Sequence, residues 1–199
     1  MQEISLADSF GQALAKYSDG LPLGVEIGGG TGDGSTQCIR TRELFSFEIH
    51  PDRIARHKYN LDGRQGGIAI NQLSSNPMAW MTIQDVEQFY SKTKTNLNQY
   101  PLEQIIEWHK ADFRMAAKYV WGHLSLKDEI DFLLLDGGAF SGRADFLVFF
   151  PKVSEGGIIA LDDTNDIKNH ANYQWLKTAG YSILWEEPSF RNGCAIFRK

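Results

Sequence analysis

Several carboxylates in this chain stand at the ends of apolar runs, where a folded protein can use them for chemistry. Asp136 closes the run Phe132-Leu133-Leu134-Leu135, and the pair Asp162-Asp163 closes Ile158-Ile159-Ala160-Leu161. Three acids at the ends of two neighbouring strands would offer the oxygen ligands that a hard divalent cation such as Mg²⁺ prefers. An ion held there lowers the pKa of a bound hydroxyl and orients its oxygen for attack. The plainer alternatives are that Asp136 orients a ligand directly and that Asp163 caps the helix behind it. Asp136 and His170 are the two candidates for a base that takes the hydroxyl proton; for His170 a plain helix-surface position competes. Arg143 and Lys168 meet an anionic group or, as the default for such side chains, stand in solvent; Arg191, in the hairpin turn, points either toward the rim or away from it.

A second set of residues has the spacing of a nucleotide cradle. Glu26 sits inside Leu23-Gly24-Val25-Glu26-Ile27, and Gly28, Gly30 and Gly32 follow at alternate positions. Glycines there tolerate positive φ and let a ligand lie against bare backbone. Ser35 is expected to cap a helix over 36–40, whose free N–H groups would face an anionic group. An unpaired carboxylate at Glu26 would be costly inside an apolar run, so it is expected to bond the loop or a cationic ligand. Glu48 lies 20 positions after Gly28, where an acid in α/β nucleotide-binding units accepts hydrogen bonds from ribose hydroxyls. Ile49 beside it is a candidate to pack on the base of such a nucleotide, and Gln72, Ser74 and Asn76 are the polar side chains at the end of the third apolar run, 66–73. The dinucleotide fingerprint G-x-G-x-x-G fails from Gly28, because Asp33 stands where its last glycine would fall.

These residues need a parallel sheet that brings strand ends to one rim. Apolar runs predict strands at 23–27, 44–49, 66–73, 129–136 and 158–161, with alternating strands at 181–186 and 194–197 as a closing hairpin. Helices are predicted over 3–18, 51–60, 143–150 and 167–178, the second opened by Pro51. Residues 78–122 do not fit a strand–helix alternation: 83–93 and 102–119 read as helices split by 96–101, with many large apolar groups. That insertion either packs on its own sheet or forms a cap or subunit contact, which leaves a homo-oligomer open. A competing register makes 105–112 the third strand, with Asp112 at the adenine.

The 199 residues suit one domain over 1–199. A net charge of −5 argues against a general nucleic-acid or membrane-surface binder, with a local basic patch left open, so the expectation is no nucleic acid and no membrane. The first ten residues lack the basic-then-apolar order of a signal peptide, and no apolar run approaches a membrane span. Cys38 and Cys194 are the two cysteines, without metal-like spacing, so a reduced cytoplasmic protein is expected.

The pattern Glu26, Gly28, Gly30, Gly32 resembles motif I of the class I S-adenosylmethionine (SAM) dependent methyltransferases. The acids Asp136 and Asp162-Asp163 look like those of small-molecule O-methyltransferases that use Mg²⁺. The segments LLDGGAFSG, IALDDTNDIKN and RNGCAIF resemble a group of bacterial methyltransferase-like proteins. The resemblance covers roughly 23–60 and 131–199. It implies a Rossmann-like α/β fold, with a seven-stranded mostly parallel sheet, a C-terminal antiparallel hairpin and the helical insertion. It implies SAM as cofactor, with Glu26, Gly28, Gly30 and Gly32 at its methionine end and Glu48, Ile49, Gln72 and Ser74 around its adenosine. Asp136, Asp162 and Asp163 would hold Mg²⁺ or substrate. The activity implied is methyl transfer to a hydroxyl of a small molecule, such as a sugar or natural-product intermediate. One departure stands out: several metal-dependent relatives carry D-G-D-H where this chain has Asp136-Gly137-Gly138-Ala139. Two further readings are a SAM-binding protein without catalysis and, disfavoured by Asp33 and the closing hairpin, a nicotinamide oxidoreductase.

Overall fold

The computed structural model describes residues 3–119, 121 and 129–199. Seven strands form one sheet in the order β3-β2-β1-β4-β5-β7-β6. They are β1 Leu23–Ile27, β2 Glu43–Phe47, β3 Gly67–Ile70, β4 Ile130–Leu135, β5 Val153–Asp162, β6 Ser182–Glu187 and β7 Cys194–Arg198. The first five run parallel, and β7 is antiparallel to both β5 and β6. The order reverses between β1 and β4, which opens a crevice at their carboxyl ends.

The central strands are apolar throughout because both faces of the sheet are covered. Phe132 and Leu134 join one core with Phe10, Leu14, Leu44 and Leu61. Leu133 and Leu135 join the other with Val25, Phe146 and Phe149. Neighbouring residues of one strand thus feed opposite cores, as the two-residue period of a strand requires. Each fully buried Leu or Phe contributes roughly 1.5–3 kcal/mol relative to exposure.

The helices are α1 Ser9–Ser18, α2 Ser35–Cys38, α3 Pro51–Asp62, α4 Ile83–Lys92, α5 Leu102–Ala116, α6 Gly142–Phe149 and α7 His170–Thr178. The first begins at Ser9 rather than at residue 3, because the Asp8 carboxylate accepts the Gly11 N–H at 2.7 Å and the Ser5 N–H at 2.6 Å. Its apolar side covers the sheet, with Phe10 stacked on Trp185. Ser35 is not a cap: it is the first residue of α2, and its hydroxyl is spent on Glu26. The last helix starts at His170, three residues later than predicted, because Asn169 ties its side chain to the Leu135 and Asp162 carbonyls. Gly156 and Gly157 lie inside β5, where they pair with Lys199.

The insertion is helical, as its pattern predicts, and α5 rules out the competing strand over 105–112. Its predicted end at residue 122 lies outside the described residues. Val86, Leu97 and Ile105 pack on Phe140 and Ile167 from the loops after β4 and β5. Trp80 and Ala116 pack with Leu73 and Ala144. The large apolar groups therefore serve mainly to seat the insertion on the rim of its own sheet. Among the described residues no helix is long and apolar enough to cross a membrane.

Candidate active site

The glycine loop is built on β1 and braced from beneath. Gly28 and Gly29 both donate their N–H groups to the Phe47 carbonyl, and Gly28, Gly30 and Gly32 have φ values of 89°, 59° and 77°. A Cβ on Gly28 would overlap the Asp136 carbonyl, where β1 and β4 converge, and one on Gly29 would overlap Ser46 and His57. A Cβ on Gly30 would meet no atom within 4 Å, so this backbone faces open space.

Glu26 points the other way. It is wholly buried and accepts hydrogen bonds from Ser35 Oγ at 2.5 Å, Thr36 Oγ1 at 2.7 Å and Ser46 Oγ at 2.6 Å. Burial raises its pKa against the opposing pull of those hydroxyls. His57 Nε2 lies 2.8 Å from Ser46 Oγ and extends the network under the loop. Glu26 lines neither cavity described below; of the two alternatives for it, the structure shows a carboxylate bonded to the loop and its helix. Ser46, a hydroxyl inside the apolar strand Leu44-Phe45-Ser46-Phe47, was the sequence signal for this network.

Two cavities open at the carboxyl ends. The first, about 310 Å³, is lined by Glu48, Ile49, Gln72 and Ser74 together with Trp80, Asp112 and Met115 of the insertion. Glu48 Oε1 accepts the Ile49 and His50 N–H groups at 2.7 and 2.6 Å, which fixes the carboxylate, and Arg53 lies 3.9 Å from Oε2. Beneath the floor, buried Asp145 accepts from Ser74 Oγ at 2.6 Å and Ser141 Oγ at 2.8 Å. Burial raises its pKa although the serines lower it. Asp112 is reached from a helix, not a strand, yet it does stand at this cavity, its pKa raised by burial. Asp145 was hidden in an apolar helix pattern, and Trp80 and Met115 carried no signal separating them from core residues.

The second cavity, about 540 Å³, is lined by the glycine loop, Glu3 and Ile4 before α1, and Arg53, Asp163, Lys168 and Arg191. Gly28, Arg53, Asp136 and Gly137 line both cavities, so the two share a wall.

The predicted carboxylates do converge: oxygens of Asp136, Asp162 and Asp163 lie within 4.8 Å of one another. They are already engaged by cations of the chain. Lys168 Nζ is 2.7 Å from Asp136 Oδ1 and 2.5 Å from Asp163 Oδ2. Arg191 Nη2 is 2.9 Å from Asp162 Oδ2, and Cys194 Sγ is 3.0 Å from Asp162 Oδ1. Lys168, whose side chain is 11% exposed, is thus no solvated charge. Burial acts against its charged form, but the surrounding carboxylates prevail and raise its pKa. Burial likewise acts to raise Asp163, but Lys168 prevails and holds it below the usual range. Asp136 moves up, through burial first, with Lys168 opposing and Asp162 reinforcing. Asp163 and Arg191 both have positive φ, 56° and 54°, a strained conformation of the kind that gathers at functional sites. With the acids committed to an ammonium and a guanidinium, the cluster as it stands does not fit Mg²⁺.

Two expected residues stand elsewhere. His170 lines neither cavity; its ring meets Phe89 of α4 edge-on at 5.7 Å, and burial lowers its pKa. Arg143 donates to Asn172 Oδ1 at 3.1 Å. Asp33, which breaks the dinucleotide fingerprint, pairs with Arg56 at 2.7 Å.

No protein-family model and no curated protein matches the sequence. Solved structures do match over the whole chain. The chain resembles an rRNA methylase from Streptococcus thermophilus at TM-score 0.56 and 11% identity, over 100% of this chain and 99% of that one. It resembles a Staphylococcus aureus protein assigned as a caffeoyl-CoA O-methyltransferase at TM-score 0.55 and 12% identity, over 100% and 85%. It also resembles the M. jannaschii tRNA m1G37 methyltransferase at TM-score 0.51 and 14% identity, over 95% and 48%. The fold is that of the class I methyltransferases. These neighbours correct the expectation of no nucleic acid: proteins named for rRNA and tRNA substrates share this architecture. Net charge summed over a whole chain does not decide what a local cleft receives.

Proposed function

We propose that this chain is a SAM-dependent methyltransferase acting on a hydroxyl of a small molecule. The observation that carries the reading is the wall shared by the two cavities, with Asp136 on it. The cavity around Glu48 and Ile49 would take the adenosine, with the ribose hydroxyls on Glu48, and the open backbone at Gly30 would lie along the methionine end. Glu26 acts at one remove, by holding Ser35 and Thr36 under the loop. Bound there, SAM would supply a methyl group activated by its sulfonium.

The acceptor would enter the larger cavity, whose volume suits a small molecule. Asp136 is the group on the shared wall that takes the hydroxyl proton, as a carboxylate whose Oδ1 is fixed by the Lys168 ammonium at 2.7 Å. Lys168, itself paired with Asp163, holds its carboxylate in place, and positioning of the oxygen accounts for much of the rate.

The test is transfer of labelled methyl from SAM into two pools, a metabolite extract and total RNA. We expect label in the metabolite pool, lost in Asp136→Asn while S-adenosylhomocysteine affinity stays within about threefold by calorimetry. Label in RNA alone would overturn the small-molecule acceptor. No label in either pool, with the ligand still bound, would overturn catalysis.

A further inference from the structure

The acid cluster at the ends of β4 and β5 has the composition of a divalent-cation site, yet its positive charge is supplied by the chain. Lys168 lies between Asp136 Oδ1 and Asp163 Oδ2 and is hydrogen-bonded to both. Arg191, 14% exposed in its side chain, takes the wholly buried Asp162. The backbone leaves the lysine little freedom. Asn169 anchors the next residue to both β4 and β5, and a Cβ on Gly142 would overlap the Lys168 carbonyl, so α6 packs directly against it. Asn192 from the β6–β7 hairpin holds the other oxygen of Asp163 at 3.0 Å. Withdrawing the ammonium would leave two largely buried acids without their cation, which is strongly unfavourable.

We infer that Lys168 is the resident cation of this site: its ammonium takes the place of a divalent ion between Asp136 and Asp163, so the site works without metal. An ammonium carries three N–H donors. Two are spent on the acids, and the third is available to an acceptor oxygen in the larger cavity, which Lys168 lines. The role toward an acceptor rests on the methyl-transfer reading; the exclusion of metal does not.

The test is Mn²⁺ binding to the full chain, read from the paramagnetic resonance signal of the free ion. We expect no cluster binding by the wild type or Lys168→Arg. Lys168→Met, which keeps the length and removes the charge, is expected to bind Mn²⁺ at least about tenfold more tightly, and the gain is lost when Asp136→Asn is added. In the labelled-methyl assay, chelator leaves the wild-type rate unchanged. Wild-type binding abolished by Asp163→Asn would overturn the inference, and needs no lysine variant to fold. A folded Lys168→Met chain that binds no ion would also overturn it, because the ammonium would then not be what excludes metal. S-adenosylhomocysteine titration of the same wild-type sample separates the readings: failure to bind it counts against methyl transfer and leaves the Mn²⁺ result standing.

Discussion

Two glycines of one loop should fail in different ways when each is replaced by alanine. Both have positive φ, 89° at Gly28 and 59° at Gly30, so an L-residue costs about 1–2 kcal/mol at either on conformation alone. At Gly28 the added Cβ would also overlap the Asp136 carbonyl oxygen and stand 2.7 Å from its carbon and 2.8 Å from Gly137 Cα. Those atoms are backbone, tied back by the Asp136 N–H to the Ile27 carbonyl at 2.9 Å, so the ends of β1 and β4 must part. We expect Gly28→Ala to lose about 3–5 kcal/mol of stability, in the range of severe single substitutions. At Gly30 the Cβ meets nothing within 4 Å and projects into the second cavity. Gly30→Ala should therefore lose only about 1–2 kcal/mol, while its affinity for S-adenosylhomocysteine falls about 10–100-fold. Urea denaturation and calorimetric titration of both variants read the two quantities separately. Equal stability losses would refute the packing argument. Unchanged ligand affinity in Gly30→Ala would refute the placement of a ligand along the loop.

Further outcomes follow from buried carboxylates. Asp166 is pushed up to about 6 from an ordinary 3.8, by burial first and by Asp163 second. A carboxyl raised on folding leaves stability intact below its unfolded value and lowers it as pH rises through the folded one. Asp166→Asn should then stabilise the protein by up to about 3 kcal/mol near pH 8 and by nothing near pH 3.5, measured by denaturation across pH. Glu26→Ala strands the hydroxyls of Ser35, Thr36 and Ser46. A loss of about 3–5 kcal/mol is expected on denaturation, and a loss below about 1 kcal/mol would mean the network is not a brace.

What the sequence made legible was local. Leu23–Ile27 is bounded as the apolar run and the following glycines predict, and the closing strands pair antiparallel as their alternation requires. Glu48, Ile49, Gln72 and Ser74, far apart in the chain, do meet at one cavity because parallel strands deliver their carboxyl ends to one rim. The residues that escaped notice depend on partners distant in sequence. Lys168 reads as a surface charge until the fold brings Asp136, 32 positions away, within 2.7 Å. Glu26 was legible as a buried acid, but its orientation away from both cavities is fixed by Ser35, Thr36 and Ser46, the last 20 positions later. The insertion showed its helices through their apolar spacing, whereas its contribution of Trp80, Asp112 and Met115 to a cavity wall depends on how it docks. Asp145 escaped because its three serine neighbours come from two separate loops.

We propose that the crevice between β1 and β4 binds an adenosine-bearing methyl donor, with Glu48 on the ribose. The most direct measurement is calorimetric titration of S-adenosylhomocysteine into wild type and Glu48→Ala. Glu48 presents a carboxylate already fixed by two backbone N–H groups, and a hydrogen bond to a charged group is worth about 1.5–3 kcal/mol. We expect saturable one-to-one binding by the wild type, weakened about 10–100-fold in the variant. Wild-type protein that binds no S-adenosylhomocysteine, or a Glu48→Ala chain that binds it equally well, would contradict it.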